Sequence, residues 1–235
     1  MRVAALIPAY QAAAHVGEVL LGIAALESPP DVLVVDDGSR DATALVARQF
    51  GARVHSFAAN RGKGHALLAG FGLLADFDAV VTLDAVGQHP PESIPRFIAA
   101  ARAGADLVIG TRARSVDMPP ARRFANGLSS AWASAIAGQP VPDSQCGYRL
   151  YRREVIARTP VTPGRFEFET EVAIRAARLG FRLDAVEIPT VYGDEKSQIR
   201  AFQDVPRIIG TLLRLTVEGV LPPPPMRDAR AHLPR

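Results

Sequence analysis

The chain has 235 residues, of which 48% are hydrophobic, with one cysteine and a formal net charge of +3. This length is enough for one large domain with a full core, and a single cysteine excludes an internal disulfide, which favours a cytoplasmic protein. The first ten residues hold an apolar run too short for a signal peptide, and no window approaches 18 uninterrupted apolar residues, so we expect no membrane-spanning helix.

The first half of the chain alternates strands with helices. Apolar runs predict strands at 3–7, 32–35, 53–57, 80–83 and 106–109. Helical spacing of apolar residues predicts a helix after each of the first four strands, with Asp41 as a cap of the second. This alternation of strands and helices is typical of an α/β domain built on a parallel sheet.

The second half is less regular. The pattern predicts helices at 122–137 and 169–179, strands at 148–151 and 183–188, and a last helix from Asp204. That last helix carries Ile208 and Leu212 on its apolar side together with Val205 and Ile209, with Arg207 and Arg214 on the other side. Residues 221–235 begin with a run of prolines and are predicted to be a disordered tail.

A basic patch lies between residues 112 and 123. It carries Arg112, Arg114, Arg122 and Arg123 against Asp117, a net charge of +3. Nucleic acid is the generic partner of such a patch, but no interleaved aromatic residue or nucleic-acid-binding motif accompanies it. We therefore expect no nucleic-acid partner.

Carboxylates follow two of the predicted strands. Asp36 and Asp37 come after the second strand and Asp84 after the fourth, and ligands of open α/β sheets bind beyond the carboxyl ends of the strands. Acidic acceptors suit ribose hydroxyls and base N–H groups, whereas a diphosphate needs a cation. The arrangement favours a nucleotide-sugar site, with a simple turn at 36–38 as the alternative. Neither a P-loop nor a complete G-x-G-x-x-G motif is present.

Several short motifs then occur in a fixed order. They are residues 7–10 (IPAY), 34–39 (VVDDGS) with Asp41 and Thr43, 60–64 (NRGKG), 83–91 (LDAVGQHPP), 110–112 (GTR), 143–149 (DSQCGYR) and 167–171 (EFETE). Together they resemble family 2 glycosyltransferases of the GT-A fold, in the branch of dolichyl- or polyprenyl-phosphate mannose and glucose synthases. The resemblance covers residues 3 to about 213.

The resemblance implies one GT-A domain over residues 1–220, with a mostly parallel sheet, a nucleotide-sugar-binding half (1–110) and an acceptor half (111–220). It implies inverting transfer of glucose or mannose from a UDP- or GDP-sugar to a polyprenyl or dolichyl phosphate. Such a protein would be cytoplasmic and peripheral at the inner face of the membrane. Two alternatives stay open, namely transfer to a sugar or other small hydroxyl acceptor, and nucleotide-sugar binding with little or no catalysis.

The donor and metal residues are likewise implied by the resemblance. The donor-binding set is Pro8, Tyr10, Asp36, Asp37, Lys63 and Asp84. Mg²⁺ or Mn²⁺ would be held by Asp84 and Gln88, but the family's Asp-x-Asp motif reads Asp84-Ala85-Val86 here. Loss of this ligand predicts weakened metal-dependent activity, a donor site that works without metal, or no catalysis. We interpret His89 as a helix-entry residue rather than a metal ligand.

The expected catalytic residues are Asp84, Asp143, Arg149 and Glu169. By resemblance, the acceptor phosphate would be clamped by Arg112, Arg123, Arg149 and Arg200, because arginine binds phosphate oxygens bidentately. A hydroxyl acceptor would instead need a base, for which Glu169 is favoured over Asp143. The order Lys196-Ser197 reverses a pair common in the lipid-phosphate branch.

Contact with a membrane is a further expectation. Trp132 lies on an apolar helical stripe, which indicates either a core residue or a residue at a membrane interface, and the basic patch beside it suits anionic lipid. The last helix is compatible with membrane contact, with pairing of two copies or with packing on its own domain. The sequence does not predict an oligomeric state.

Overall fold

The structure is a computed structural model that describes residues 1–112, 120–161, 167–189 and 201–220, with the backbone alone at 112, 120–125, 201–205 and 219–220. Its elements in chain order are β1 (Val3–Ala9), α1 (Val16–Ala24), β2 (Asp31–Asp36), α2 (Thr43–Gln49), β3 (Arg53–Ser56), α3 (Lys63–Leu73), β4 (Ala79–Thr82), a 3₁₀ turn (Pro91–Ser93), α4 (Ile94–Arg102), β5 (Leu107–Arg112), α5 (Pro120–Ala137), β6 (Arg149–Arg152), α6 (Arg153–Arg158), α7 (Glu167–Arg178), β7 (Leu183–Ile188) and α8 (Ala201–Val220).

One seven-stranded sheet runs through both predicted halves, in the order β3-β2-β1-β4-β6-β5-β7. Strand β6 is antiparallel to β4 and β5, and the other neighbouring pairs are parallel. The predicted α/β fold with a mostly parallel sheet is thereby confirmed. The short helix α6 follows β6 directly and was not predicted.

The core lies where the apolar runs of the sequence meet across the sheet. Residues 4–7 of β1 are fully buried, as expected for a central parallel strand covered on both faces. Helix α3 lies close against β1 because Gly70 has no side chain there, and a Cβ at this position would be 2.2 Å from Leu6 Cδ1. This close packing fixes the helix whose first residue is Lys63.

An ion-pair cluster joins α7 to α8. Glu171, only 1% exposed, contacts Arg175 at 2.8 Å and Arg214 at 2.9 Å, and Glu218 contacts the same two arginines at 2.8 and 3.0 Å. Arg214, which was predicted on the side of the last helix opposite the apolar residues, therefore lies against α7. Its guanidinium satisfies a buried carboxylate, which explains why an arginine occurs on this side of the helix.

The described residues include no helix that is both long enough and apolar enough to cross a membrane. Residues 221–235, Lys196, Ser197 and Arg200 lie outside the described residues, as does most of the basic patch. The division into donor and acceptor halves stays a prediction.

Candidate functional site

The site begins at the carboxyl ends of β2, β1 and β4, which are neighbours in the sheet. Asp36 is the last residue of β2 and pairs with Ala9 of β1, while the N–H of Asp37 donates to the Ala9 carbonyl at 2.8 Å. Asp84 follows two residues after the end of β4. The strand order thus brings these predicted carboxylates to one edge of the sheet, where ligands of this fold class bind.

Asp37 orients the loop before α3. Its carboxylate accepts hydrogen bonds from the Asn60 side chain at 2.9 Å and from the backbone N–H groups of Arg61 and Gly62 at 2.7 and 2.8 Å. The carboxylate is buried, with 3% exposure of the residue, and these partners occupy both of its oxygens. Asp37 therefore positions the segment that leads to Lys63. Asp37 was predicted only as a donor-binding residue, so this role was not foreseen.

The loops after β1 and β2 are joined by Gln11. Its Oε1 accepts from the backbone N–H groups of Arg40 and Asp41 at 3.0 and 3.1 Å, and its φ of 52° places it in the left-handed region. Asp41 Oδ1 accepts from the Thr43 N–H at 3.0 Å, but the residue at the cap of α2 is Ala42. Asp41 thus hydrogen-bonds to the first residue of α2, but the predicted cap position is occupied by Ala42.

The other predicted donor residues lie beside this joined pair of loops. Pro8 is half-buried within β1, and Tyr10 is 42% exposed just beyond its end. Asp36 is 4% exposed, and its Oδ1 accepts from the Ser39 N–H at 3.1 Å. A nucleoside could stack its base on the exposed aromatic ring and donate hydrogen bonds to the buried carboxylate.

Three charged side chains from distant parts of the sequence meet at the centre of the site. Lys63 Nζ lies 2.7 Å from Asp84 Oδ1 and 2.8 Å from Glu169 Oε1. Burial alone disfavours the ammonium, but the two carboxylates outweigh it and raise the pKa of Lys63 well above its usual value. We call Lys63, Asp84 and Glu169 the charge cluster, in which the lysine stays protonated throughout the physiological range.

Gly147 forms one wall of the charge cluster. A Cβ on this residue would lie 2.5 Å from Lys63 Nζ and 3.2 Å from Asp84 Oδ1, so only a glycine allows the three side chains to meet here without displacement. Thr82 holds the same residue from β4, since its Oγ1 donates to the Gly147 carbonyl at 2.8 Å. Gly147 belongs to a recognised motif, but its contact with Lys63 was not predicted.

Arg149 does not occupy the place expected of a phosphate ligand. It is fully buried, and its guanidinium donates to the backbone carbonyls of Cys146 at 2.7 Å, Ser144 at 3.0 Å, Asp143 at 3.3 Å and Glu169. These bonds tie the loop before β6 to the first turn of α7. We therefore no longer assign Arg149 to the acceptor phosphate or to catalysis, and regard it as a positioning residue for Glu169.

Glu169 Oε2 is buried and has no hydrogen-bond partner among the described residues. Burial raises the pKa of the neighbouring Tyr151 to about 12, so its hydroxyl stays protonated at neutral pH.

The remaining predicted base is Asp143. It is half-buried, and its Oδ1 accepts a hydrogen bond from the Gln145 N–H at 3.1 Å, as a residue of a loop turn does.

The loop after β4 is fixed by aromatic packing. His89 is 5% exposed, its ring lies 5.2 Å from that of Tyr148, and Tyr148 stacks on Phe97 at 4.4 Å and donates to the Pro90 carbonyl at 3.1 Å. His89 Nδ1 is 3.6 Å from Asp84 Oδ2. The histidine thus packs against the turn that leads into α4, as its interpretation as a helix-entry residue requires.

The side chains of the described residues do not fit a divalent-cation site. Asp84 is close to an ammonium, Val86 is apolar and half-buried, and Gln88 is half-buried nearby in the chain. Within the ranges that the structure describes, no group of three or more His, Cys, Asp and Glu residues is arranged to hold a metal ion. Mg²⁺ requires about six oxygen ligands, so these residues alone would hold it weakly.

The structure describes the other predicted phosphate-binding arginines only incompletely. Arg112 ends β5 and Arg123 lies in the first turns of α5, so both backbones belong to the second half of the domain, while their side chains lie outside the description. Arg200 lies outside the described residues altogether. The acceptor role of these three arginines stays a prediction.

A mostly parallel sheet that gathers buried carboxylates and a lysine at the carboxyl ends of its central strands defines an open α/β domain with its ligand site at that edge of the sheet. A family model described as Glycosyl transferase family 2 matches residues 4–159. The chain belongs to glycosyltransferase family 2, and the predicted resemblance and the expectation of a glycosyltransferase are confirmed.

Curated relatives extend this similarity beyond the matched region. The chain is 32% identical over 206 residues to undecaprenyl-phosphate mannosyltransferase of Micrococcus luteus, covering 82% of this chain and 84% of that protein. It is 34% identical over 180 residues to polyprenol monophosphomannose synthase of Mycolicibacterium smegmatis, covering 70% and 67%. An undecaprenyl-phosphate 4-deoxy-4-formamido-L-arabinose transferase of Proteus mirabilis is 34% identical over 177 residues, and the match spans about half (54%) of its length.

Solved structures share the fold. Glucosyl-3-phosphoglycerate synthase from Mycobacterium tuberculosis in complex with UDP gives a TM-score of 0.76 at 24% identity, covering 92% of this chain and 80% of that one. The same synthase with Mn²⁺, UDP and phosphoglyceric acid gives 0.76 at 23% identity, covering 92% and 78%. At this identity the likeness shows the GT-A fold alone.

Proposed function

We propose that this glycosyltransferase is an inverting enzyme that transfers glucose or mannose from a UDP- or GDP-sugar to a polyprenyl or dolichyl phosphate. The observation that carries the proposal is the charge cluster. Glu169, the favoured base for a hydroxyl acceptor, is 3% exposed and bound to the Lys63 ammonium, an arrangement that suits an acceptor needing no deprotonation. The names of the polyprenyl-phosphate relatives support the same acceptor class.

A phosphate monoester acceptor is already ionised near neutral pH. The protein then has to align the acceptor with the sugar and to stabilise the charge that develops on the leaving diphosphate. We propose that residues 1–110 bind the donor through Tyr10, Asp36 and Lys63, and that residues 111–220 hold the acceptor phosphate. Arg112, Arg123 and Arg200 are the proposed phosphate ligands.

The test is transfer of radiolabelled sugar into an organic-extractable fraction, with UDP- and GDP-linked glucose and mannose as donors and polyprenyl phosphate as acceptor. We expect label in the lipid fraction, and expect Glu169→Gln to retain activity within about tenfold, whereas loss of a general base costs about 10²–10⁴-fold. An unlabelled lipid fraction with every donor contradicts the proposal. A loss of 10²-fold or more in Glu169→Gln, with label in a hydroxyl acceptor, would favour the alternative.

An exposed apolar face supports the peripheral membrane contact that the proposed acceptor requires. It is formed by Leu128 on α5 and by Ile209, Leu213 and Val217 on α8, which are 58, 43, 52 and 61% exposed. Half-buried Trp132 joins the two helices, because its Nε1 donates to Thr216 Oγ1 at 3.3 Å. Residues 126–137 and 206–217 contain no Asp or Glu, and Arg207 is exposed beside the face.

We propose that this α5–α8 face lies on an anionic bilayer. Leu213→Glu removes an apolar contact and adds a negative charge, so we expect binding to vesicles of phosphatidylglycerol and phosphatidylcholine in a flotation assay to fall by about tenfold or more. The control is Leu21→Glu on α1, where Leu21 is similarly exposed at 55%. Equal binding of the two variants, or a stable dimer of the parent protein that does not float with vesicles, contradicts this assignment.

A further inference from the structure

The cation at the centre of this site is a lysine. We infer that the chain binds the diphosphate of its nucleotide without requiring a divalent cation, and that the Lys63 ammonium supplies the positive charge there. The inference rests on the proposed nucleotide-sugar donor and concerns how that donor is held.

The loop after β4 provides few ligands for a hard cation. Asp84 is its one carboxylate, and Val86, two residues on, presents a half-buried apolar side chain. Mg²⁺ and Mn²⁺ prefer several oxygen ligands, carboxylates above all. Within the described part of the chain no group of three acidic, histidine or cysteine residues completes such a site. An ion bound here would therefore rely mainly on water and on the nucleotide.

Lys63 already lies beside the carboxylate that an ion would use. Its Nζ is 2.7 Å from Asp84 Oδ1, and a divalent cation on the same oxygen would be repelled by the ammonium at short range. Lys63 is also the first residue of the eleven-residue helix α3, whose N-terminal dipole adds positive potential at the same place. The ammonium and the helix N-terminus both contribute positive potential at the place where a phosphate group would lie.

The residue at position 86 changes how many negative charges a diphosphate meets in the loop after β4. With Val86 in place of an acidic ligand, this loop contributes one carboxylate, Asp84, and that carboxylate is already paired with Lys63. The loop therefore repels a diphosphate less than a loop with two carboxylates would.

The experiment is calorimetric titration of the full chain with UDP and with GDP, in excess EDTA and in excess Mn²⁺. We expect the dissociation constant in EDTA to lie within about tenfold of that in Mn²⁺, a difference of about 1.4 kcal/mol or less. Lys63→Met should weaken binding in EDTA by about tenfold or more. The matched control is Arg102→Met, which removes an exposed positive charge at the end of α4. Val86→Asp should make binding at least about tenfold tighter in Mn²⁺ than in EDTA.

Each outcome has a distinct meaning. If the parent protein binds the nucleotide only in Mn²⁺, this inference is contradicted, whereas the proposal of a nucleotide-sugar donor is not affected. Equal losses in Lys63→Met and Arg102→Met, or a Val86→Asp variant indifferent to Mn²⁺, also contradict it. Failure to bind either nucleotide under both conditions contradicts the proposed function itself. The comparison of EDTA with Mn²⁺ uses the unmodified protein, so it does not depend on the folding of any variant.

Discussion

Replacing Arg149 with methionine is expected to lower the free energy of unfolding by about 3 kcal/mol or more, since each buried carbonyl left unsatisfied costs roughly 1–3 kcal/mol. Four carbonyls accept from this guanidinium, and the residue is fully buried. Urea denaturation monitored by circular dichroism measures the effect. The result would show that Arg149 stabilises the fold around Glu169.

The control for this prediction is Arg153→Met. Arg153 is exposed and donates to the Ala75 carbonyl at 2.9 Å, so its loss should cost no more than about 1 kcal/mol. If Arg149→Met does not accumulate in folded form, Arg149→Lys tests the same point, because an ammonium cannot reach all four carbonyls. Wild-type stability combined with loss of transfer to a phosphate acceptor would instead make Arg149 a phosphate ligand.

Replacing Gly147 with alanine is expected to reduce the rate of sugar transfer to lipid phosphate by about 100-fold, the scale of loss caused by a misplacement of about 1 Å at an active site. The added Cβ would lie 2.5 Å from Lys63 Nζ and 3.4 Å from Glu169 Oε1, which forces the ammonium away from both carboxylates. The atom that must move is the tip of a flexible side chain, so we expect the variant to fold and to unfold cooperatively. Steady-state assays and circular dichroism measure the two properties.

Gly72→Ala is the matched control for Gly147→Ala. Gly72 lies on α3, the same helix as Lys63, and a Cβ there would meet nothing within 4 Å. Alanine also favours a helix over glycine by about 1 kcal/mol, so this variant should be slightly more stable and fully active. Equal activity of the two variants would show that Lys63 does not have to remain between Asp84 and Glu169 during transfer.

Helix α7 connects the charge cluster to the proposed membrane face. Glu169, in its first turn, binds Lys63, and Glu171, two residues later, binds Arg214 of α8. Arg178, at its end, donates to the carbonyls of Ile136 on α5 at 3.0 Å and Leu215 on α8 at 2.9 Å. One helix therefore sets both the position of the charge cluster and the packing of the proposed membrane face.

Most of the fold was predictable because its signals are local. Buried parallel strands such as β1 and β4 are short apolar runs, and the amphipathic helices show a periodicity that does not depend on distant residues. The identity of the family follows from the same kind of signal, since each motif lies within a few consecutive residues. The presence of Val86 where a carboxylate was expected is also visible in the sequence alone.

Features that depend on contacts between distant residues are visible only in the folded chain. The antiparallel direction of β6 follows from its hydrogen-bonding partners β4 and β5, which no apolar run specifies. Arginine chemistry suits both phosphates and backbone carbonyls, and only burial assigned Arg149 to the carbonyls. Likewise, Lys63 meets Glu169 across more than a hundred residues, at a distance set by packing around Gly147. Local sequence signals thus establish the family and the location of the site at the carboxyl ends of the strands, whereas the packing of distant residues establishes which charges meet there.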